Sequence, residues 1–563
     1  MWWKAIYPIS GGSFEYNDCV TKHGAPRGPS SPEGYSTWPQ DFVQRLLQAS
    51  PQSGGRFAKL LQGGLFAHTD CSGRLTPECT LITMLVGFQQ CGISMDLSTL
   101  NFWRGCDTCP LSQNLMTTTS PVRPQHVFKS LAHKLPQKHV AAIQRLRPNP
   151  KAPLDVRREA YSRQKEYIYK LRGKVLHGGM RAPAGACLLH PGEECPVTWP
   201  RVAEGVSDDE VVEEVSHPVT MAVVGLPCTP FTSIGNNEGL GHPAIETVNL
   251  GLAELSASDF DMVFLENSKL FPASLFEEAM GPTYKIITVT FGPEHLGWPI
   301  RRTRSLRIAI NTERLVWIGG SDDARIEQEF MSIFGKASLL DASHFVGVGD
   351  ATNVKMLRTD FAKKRGLFCA TEGLALPDLL MPCYRNCYYK YMEMMKAGDK
   401  VGSSGAFIAD VSQNPSERVR CGAWMPALTK NSVMACLNVS PQHLYSNAEL
   451  DYIMGFPSAE FSGCKQYSDA IGMKVHHLPR NKYGKLIGNG MHVGAMAAFF
   501  LYTMSKIIKR SDLDRLQWSL PPAGSSSDRE DAEDLEGKPR TVPLLETFER
   551  CACVCALPWE FSV

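Results

Sequence analysis

A cysteine set directly after an apolar strand is the first residue here whose surroundings suggest chemistry. Val219–Val224 reads VTMAVV, an apolar, β-branched run that predicts a buried strand. The run breaks at Gly225 and Pro227. Cys228 follows, at the head of a small, hydroxyl-rich loop that ends at Gly235. Pro227 fixes φ just before the thiol, and the loop leaves the sulfur at the mouth of a sheet. A thiol in that position can be a nucleophile, although many cysteines are only small buried hydrophobes. Further along, DFDMVFL predicts a strand over Asp259–Leu265 that ends in Glu266-Asn267-Ser268. IRRTRSLRIAIN predicts another over Ile300–Asn311, opening with Arg302 and Arg304. A carboxylate and two arginines near a thiol make a candidate site, or else a buried ion network.

The elements that must position these residues alternate. Helices are predicted over Ala244–Leu255 and Pro272–Ala279, and strands over Asp259–Leu265 and Tyr284–Phe291. Alternating β and α elements predict an α/β fold with a doubly wound sheet. Cys228 and Glu266 then both stand at strand C-terminal ends and face one crevice. Earlier, Leu60–Gly73 runs from an apolar stretch into a polar, Gly-ended turn, and Leu75–Phe88 has helical character. Strand, tight turn and helix bring backbone N–H groups to a ligand. A strand near Ile93–Phe102 leads to Cys106-Asp107. An acidic residue there can hold a ribose hydroxyl, or it is a solvated turn residue. Gln125–Leu131 predicts a third short strand.

The remaining stretches are less regular. Residues 1–55 are Gly-, Pro- and Ser-rich and read as a loose cover, with a short amphipathic helix at Pro39–Gln48. Residues 135–217 form a basic insertion and linker. Its clearest helix is Asp155–Leu176, whose bases interleave with Tyr161, Tyr167 and Tyr169, as a phosphate-facing surface or a solvated one. Cys187, His190 and Cys195 have donor spacing, but a structural zinc needs four ligands and no clear partner pair is present, so no metal is expected. Cys106 with Cys109 and Cys383 with Cys387 are the other suitably spaced donors. Tyr445–Pro457 carries a capping box at Ser446 and Glu449, and its helix stops at Gly455 and Pro457. Lys485–Leu501 is a Gly-rich turn entering an apolar helix. Ser525–Glu536 is polar and acidic, and three cysteines near the C-terminus have no assignable role.

Composition sets wider bounds. The chain has 563 residues, 43% hydrophobic and 20% charged, which is ordinary for globular proteins and enough for two or three domains. The net charge of +1 announces no global basic field, so nucleic-acid binding would need a local patch. Eighteen cysteines scattered through a long chain, with no signal-like N-terminus, predict an intracellular protein with reduced thiols and no membrane span.

Taken in order, Gly225-Leu-Pro-Cys228, Glu266-Asn267, Arg302-Thr-Arg304, Gly455-Phe-Pro457 and Ile487-Gly-Asn489-Gly490 resemble the motif series of the cytosine-C5 DNA methyltransferase family. The resemblance covers most of 60–135 and 218–505. It implies a Rossmann-like S-adenosylmethionine domain with a smaller target-recognition domain, and a DNA (cytosine-5-)-methyltransferase activity in the nucleus. The implied division is an extension at 1–55, a cofactor half at 56–134, the insertion at 135–217 and a catalytic half at 218–315. A target-recognition domain at 316–464, a return to the catalytic domain at 465–508 and a tail at 509–563 complete it.

By that resemblance Cys228 is the nucleophile. Its thiolate adds to carbon 6 of cytosine, and carbon 5 of the resulting enamine attacks the methyl sulfonium. Loss of the C5 proton then expels the thiol. Glu266 grips the N3 edge of the base and must be protonated to donate there. Asn267 belongs to the same motif. Arg302 and Arg304 hold the base carbonyl and order the catalytic loop. Phe66, Asp70, Ser72 and Gly73 form the cofactor turn, Asp107 takes the ribose, and Asn489 and Gly490 close the pocket. His68, Ser130 and Ile300 depart from the family's usual glycine, aspartate and glutamine. The base would be flipped out of a duplex. Asp410–Pro415 lies in the recognition region and carries no assignment. Other readings remain: the same chemistry on RNA, since one branch of the family methylates tRNA; a degenerate member that only binds nucleic acid or partners; or a Cys-dependent hydrolase, for which no histidine is evidently placed as base.

Overall fold

The structure, a computed structural model, describes residues 26–71, 73–119, 122–171, 184–197, 218–232, 237–348, 351–367, 373–398, 401, 405–417, 419–457 and 478–513. Ser72, the 525–536 stretch and the C-terminal cysteines lie outside them, as do residues 233–236 of the Cys228 loop.

The apolar runs become a seven-stranded sheet. Its strands are β1 (Leu65–Asp70), β2 (Leu100–Cys106), β3 (His126–Phe128), β4 (Val219–Val224), β5 (Met262–Asn267), β6 (Tyr284–Phe291) and β7 (Arg304–Asn311). Their order is β3-β2-β1-β4-β5-β7-β6. The first five run parallel, and β7 is antiparallel to both β5 and β6. Order reverses between β1 and β4, the switch point where open sheets bind ligands.

Side-chain alternation builds a core on each face. Met221 and Val223 of β4 point to one, Ala222 and Val224 to the other. Met262 and Phe264 of β5 divide from Val263 and Leu265 in the same way. A strand covered on both sides has no polar register, which is why these runs read as continuously apolar. Helices α1 (Trp38–Ala49) and α2 (Thr76–Gln90) cover the first face, α3 (Leu154–Leu171) and α4 (Ile245–Ala257) the second. Helices α5 (Arg480–Asn489) and α6 (Val493–Met504) return the chain to the first face. No helix among the described residues is long and apolar enough to cross a membrane.

Several expectations need correction. Residues 26–55 are more than a loose cover, because α1 buries Trp38, Phe42, Val43 and Leu46 in the first core. Trp38 Nε1 also donates to Gly455 O at 3.2 Å. The strand expected near Ile93–Phe102 starts later, at Leu100. The interleaved tyrosines of α3 pack against the second core and do not stand out among its exposed bases. Tyr161 is buried against α4, and Tyr167 hydrogen-bonds His139 at 3.0 Å. Among the bases of this helix, Arg157 pairs with Glu238 at 2.8 Å and Lys165 with Glu278 at 2.7 Å, while Arg158 and Lys170 are exposed. Helix Asp323–Phe334, past the implied boundary at 315, still adds Phe330 and Phe334 to the first core. A third core gathers Leu357 to Leu444 around a four-stranded sheet. There Asp410 is fully buried against Arg420 at 3.2 Å, so DVSQNP begins with a structural aspartate. The capping box at Ser446 and Glu449 forms as expected.

Four buried charges lie under the sheet. Asp70 meets Lys134 at 2.8 Å and Arg104 at 3.2 Å; Glu254 of α4 meets Arg104 at 2.5 Å and Lys134 at 3.0 Å. Each acid touches both bases, so the cluster is neutral and its desolvation is offset. Burial alone would raise the Asp70 pKa, but Lys134 and Arg104 outweigh it and hold the carboxyl below its ordinary value. Lys134→Met leaves two acids sharing one base, and is expected to lower unfolding stability by about 3–5 kcal/mol in a urea titration. A loss under about 1 kcal/mol would show that the network is not structural.

Candidate functional site

Parallel pairing decides where the thiol goes. Val224 of β4 is level with Leu265 of β5. Glu266 is therefore one residue past that level and Cys228 four, both at the C-terminal edge of adjacent strands. The loop between is held on two sides. Asn267 Nδ2 donates to Leu226 O at 3.1 Å, and Ser268 Oγ donates to Phe231 O at 3.3 Å. Asn267 is fully buried, and its Oδ1 accepts the Ser268 N–H at 2.8 Å. Both ends of its amide are thus used. Asn267 is a positioning residue, not one that touches a substrate. Cys228 itself stays partly exposed.

The carboxylate and arginines come together, with divided roles. Arg304 Nε lies 3.0 Å from Glu266 Oε1, both partly accessible. Arg302 is buried and turned elsewhere: its Nη2 donates to Gly490 O at 2.5 Å and its Nη1 to Leu428 O at 3.4 Å. The expectation that Arg302 holds a base carbonyl is corrected, because its terminal nitrogens tie Gly490, at the end of α5, and Leu428 to the start of β7. Burial first, then Arg304, pulls the Arg302 pKa down to about 10, against Glu266 and Cys228, which raise it; the group stays charged at neutral pH.

Glu294, which the sequence reading missed, shapes this segment. Its Oε2 accepts the Arg302 N–H at 3.0 Å, and its Oε1 accepts the Thr303 hydroxyl at 2.7 Å. Gly292-Pro293 turns the chain to bring it there; no spacing signal marks it. A small cavity lined by Glu266, Arg302, Arg304 and His492 lies alongside.

On the other side of Arg302 stand residues expected to hold a cofactor. Gly73 has φ +63°, and a Cβ there would come within 3.0 Å of the Asn489–Gly490 peptide. The Gly73 N–H donates to Asp107 Oδ2 at 3.1 Å. Asp107 Oδ1 accepts the Cys109 N–H at 2.8 Å. Burial raises the Asp107 pKa despite these two bonds. Gly73, Asp107, Asn489 and Gly490 therefore meet. Gly225 closes the same region, with its N–H on Asp70 O at 3.0 Å. Arg74 ion-pairs Asp451 and lies 4.0 Å over the Phe456 ring, which ties the Gly455-Phe-Pro457 motif to this turn.

Two expected cofactor residues fall away from the cluster. β1 continues to Asp70, so the turn starts at Cys71, later than the motif alignment implied. Phe66 then lies near the start of the strand, about 13 Å before its end at the usual rise per residue. The Asp70 carboxyl is taken by Lys134 and Arg104. His68 is in the strand too, buried edge-on to Phe260 at 4.8 Å, so it does not obstruct the turn. Burial, then Arg104 and Lys134, push its pKa well below the ordinary histidine value. Ser130 caps a short 3-10 turn through His133, and Ile300 is a core residue paired with Met425. At the opposite edge, His126 joins Cys187, His190 and Cys195 to make a four-donor group, which corrects the expectation that no fourth ligand exists.

No protein-family model matches the sequence, and no curated protein does. Solved structures with a loose likeness include the methyltransferase EhMeth of Entamoeba histolytica, 12% identical, TM-score 0.38, covering 80% of this chain and 99% of that one. The Dnmt2 methyltransferase of S. pombe is 8% identical, TM-score 0.38, over 78% and 98%. A putative DNA modification methyltransferase encoded within an E. coli prophage is 9% identical, TM-score 0.35, over 79% and 98%. At these scores the overlap carries no functional weight.

His492 gives the site a pH dependence. Its Nδ1 accepts the Ala495 N–H at 3.1 Å, and its Nε2 donates to Ile453 O at 3.1 Å, so the neutral ring caps α6. Burial lowers its pKa from 6.5 to about 3; Ile453 opposes this and Arg302 adds to it. Between those values the unfolded chain binds a proton that the folded chain excludes, so stability is lost as pH falls through that window. His492→Asn keeps a cap acceptor and should flatten the slope of thermal midpoint against pH. An unchanged slope would place the acid sensitivity elsewhere.

Proposed function

We propose that the chain is a DNA (cytosine-5-)-methyltransferase, with S-adenosyl-L-methionine as methyl donor and Cys228 as nucleophile. One observation carries the reading. The Cys228 loop is hydrogen-bonded on both sides by Asn267 and Ser268, and the preceding residue, Glu266, is ion-paired to Arg304. A partly exposed thiol past the end of one strand, with a carboxylate and a guanidinium at the end of the next, suits addition to an electron-poor ring that needs polar groups on its edge.

The residues around Gly73 fit the cofactor. A left-handed glycine against the Asn489–Gly490 peptide permits close backbone approach, and Asp107 supplies a carboxylate for a ribose hydroxyl. When bound, S-adenosylmethionine supplies an electrophilic methyl group. The Cys228 thiolate forms a bond to carbon 6, which makes carbon 5 nucleophilic. Removal of the C5 proton later breaks that bond and returns the thiolate. Glu266 meets the N3 edge and Arg304 the carbonyl, so an entering base must part the present Glu266–Arg304 pair. Arg302 keeps the two halves of the site in register through Gly490.

The protein mixed with S-adenosylmethionine carrying a labelled methyl group should label cytosine in duplex DNA. Cys228→Ser should abolish transfer, and Glu266→Gln should lower kcat by about a hundredfold or more. Transfer to tRNA and none to DNA would keep the chemistry and change the substrate. No transfer to either, with no S-adenosylmethionine binding by calorimetry, would overturn the proposal and leave a nucleic-acid-binding role without catalysis.

A further inference from the structure

We propose that His126, Cys187, His190 and Cys195 bind a structural zinc ion that fastens the inserted hairpin to the edge of the main sheet. The donor atoms of the four residues all lie within 4.8 Å of one another. Zinc–sulfur bonds of about 2.3 Å and zinc–nitrogen bonds of about 2.0–2.1 Å put tetrahedral ligands about 3.5 Å apart. His190 Nδ1 and Cys195 Sγ, at 3.2 Å, are already near that edge length. Two soft thiolates and two imidazoles suit zinc and not the oxygen-seeking magnesium or calcium. Two thiolates also balance the charge of a divalent ion, which a site with both cysteines buried requires.

The surroundings are those of a built site. Cys187 Sγ accepts N–H groups from Val127 and Leu189, each at 3.4 Å. Amides aimed at sulfur stabilise the thiolate that a metal needs, and Leu189 stands two residues past its cysteine, inside the Cys187-x-x-His190 turn. His126 packs edge-on against Trp103 at 4.7 Å, which fixes its ring. Its Nδ1 is buried with no hydrogen-bond partner, an unusual state for a polar atom outside a ligand site.

The hairpin also needs such a fastening. Its strands, Ala184–Ala186 and Glu194–Pro196, have three residues each. A hairpin that short does not hold itself together in water. It covers β3, the edge strand, through the Leu188 N–H on Val127 O at 2.8 Å and a bridge from Cys187 to Phe128. Just beyond it, Val197 O accepts from Arg104 Nη1 at 2.6 Å, and Arg104 belongs to the buried charge cluster. The metal would thus support the sheet under Asp107 and is remote from methyl transfer.

The test is metal analysis of the full-length protein, made without affinity tags that bind metal. Mass-spectrometric elemental analysis is expected to find about one zinc per chain, and Cys187→Ser with Cys195→Ser to remove it. The exposed Cys383→Ser should retain it. Because the double variant can fail to fold, the wild type carries a second readout. X-ray absorption at the zinc edge should give two sulfur and two nitrogen neighbours, and cobalt substitution should give tetrahedral bands with thiolate charge transfer. Zinc absent from the wild type, zinc bound through four sulfurs, or a Cys187–Cys195 disulfide in non-reducing peptide mapping would each overturn the proposal.

Discussion

The hydrogen bond from the Asn267 amide to the Leu226 carbonyl is the contact on which the candidate site depends. The parallel pairing of β4 and β5 sets their ends level, but it does not fix the loop that carries Cys228. Asn267 does so, two residues before the thiol, and Ser268 repeats the hold three residues after it. Because Asn267 is fully buried, losing its partner would strand polar atoms at a cost of about 1–3 kcal/mol. The thiol is therefore presented by a loop pinned on both sides of it and not by a free one.

Arg302 couples that edge to the rest of the molecule. Its side chain reaches Gly490 and Leu428, while Glu294 holds its backbone. Gly490 adjoins the Gly73 turn, which Asp107 holds from the other side. The thiol loop, carboxylate, arginines and glycine turn are thus joined by side-chain-to-backbone bonds, the Glu266–Arg304 ion pair and the close approach of Gly73 to the Asn489–Gly490 peptide. Below them the Asp70–Arg104–Lys134–Glu254 cluster fixes the strand from which the turn leaves.

Much of this was legible in the sequence, and the failures have physical reasons. β6 begins and ends where its apolar run does, and the capping box at Ser446 and Glu449 marked its helix start correctly. Cys228 and Glu266 were placed at strand C-terminal ends because apolar runs followed by Gly, Pro or polar residues mark those ends well. Phe66, His68 and Asp70 were misplaced because a strand with polar side chains on one face looks like a turn. Asp70 answers to buried partners from distant segments, Lys134 and Arg104, and His68 packs against Phe260, none of which a local pattern reveals. The same limit applies to Tyr161, whose basic neighbours suggested solvent while its ring faces α4, and to Arg302, whose carbonyl partners carry no sequence signature. His126 is the clearest case: a donor far from its cysteines becomes visible only when β3 and the hairpin lie side by side.

The central claim is that the Cys228 sulfur adds covalently to carbon 6 of cytosine. It is tested most directly by incubating the protein and S-adenosylmethionine with an oligonucleotide carrying 5-fluorocytosine. Fluorine at carbon 5 cannot leave as a proton does, so the sulfur–carbon bond should persist after methyl transfer. The account predicts a denaturation-resistant adduct whose mass is the sum of protein, oligonucleotide and one methyl group, with the cross-link mapped to Cys228. An adduct mapped to another cysteine, or methylation of ordinary cytosine with no adduct on the fluorinated base, would contradict it.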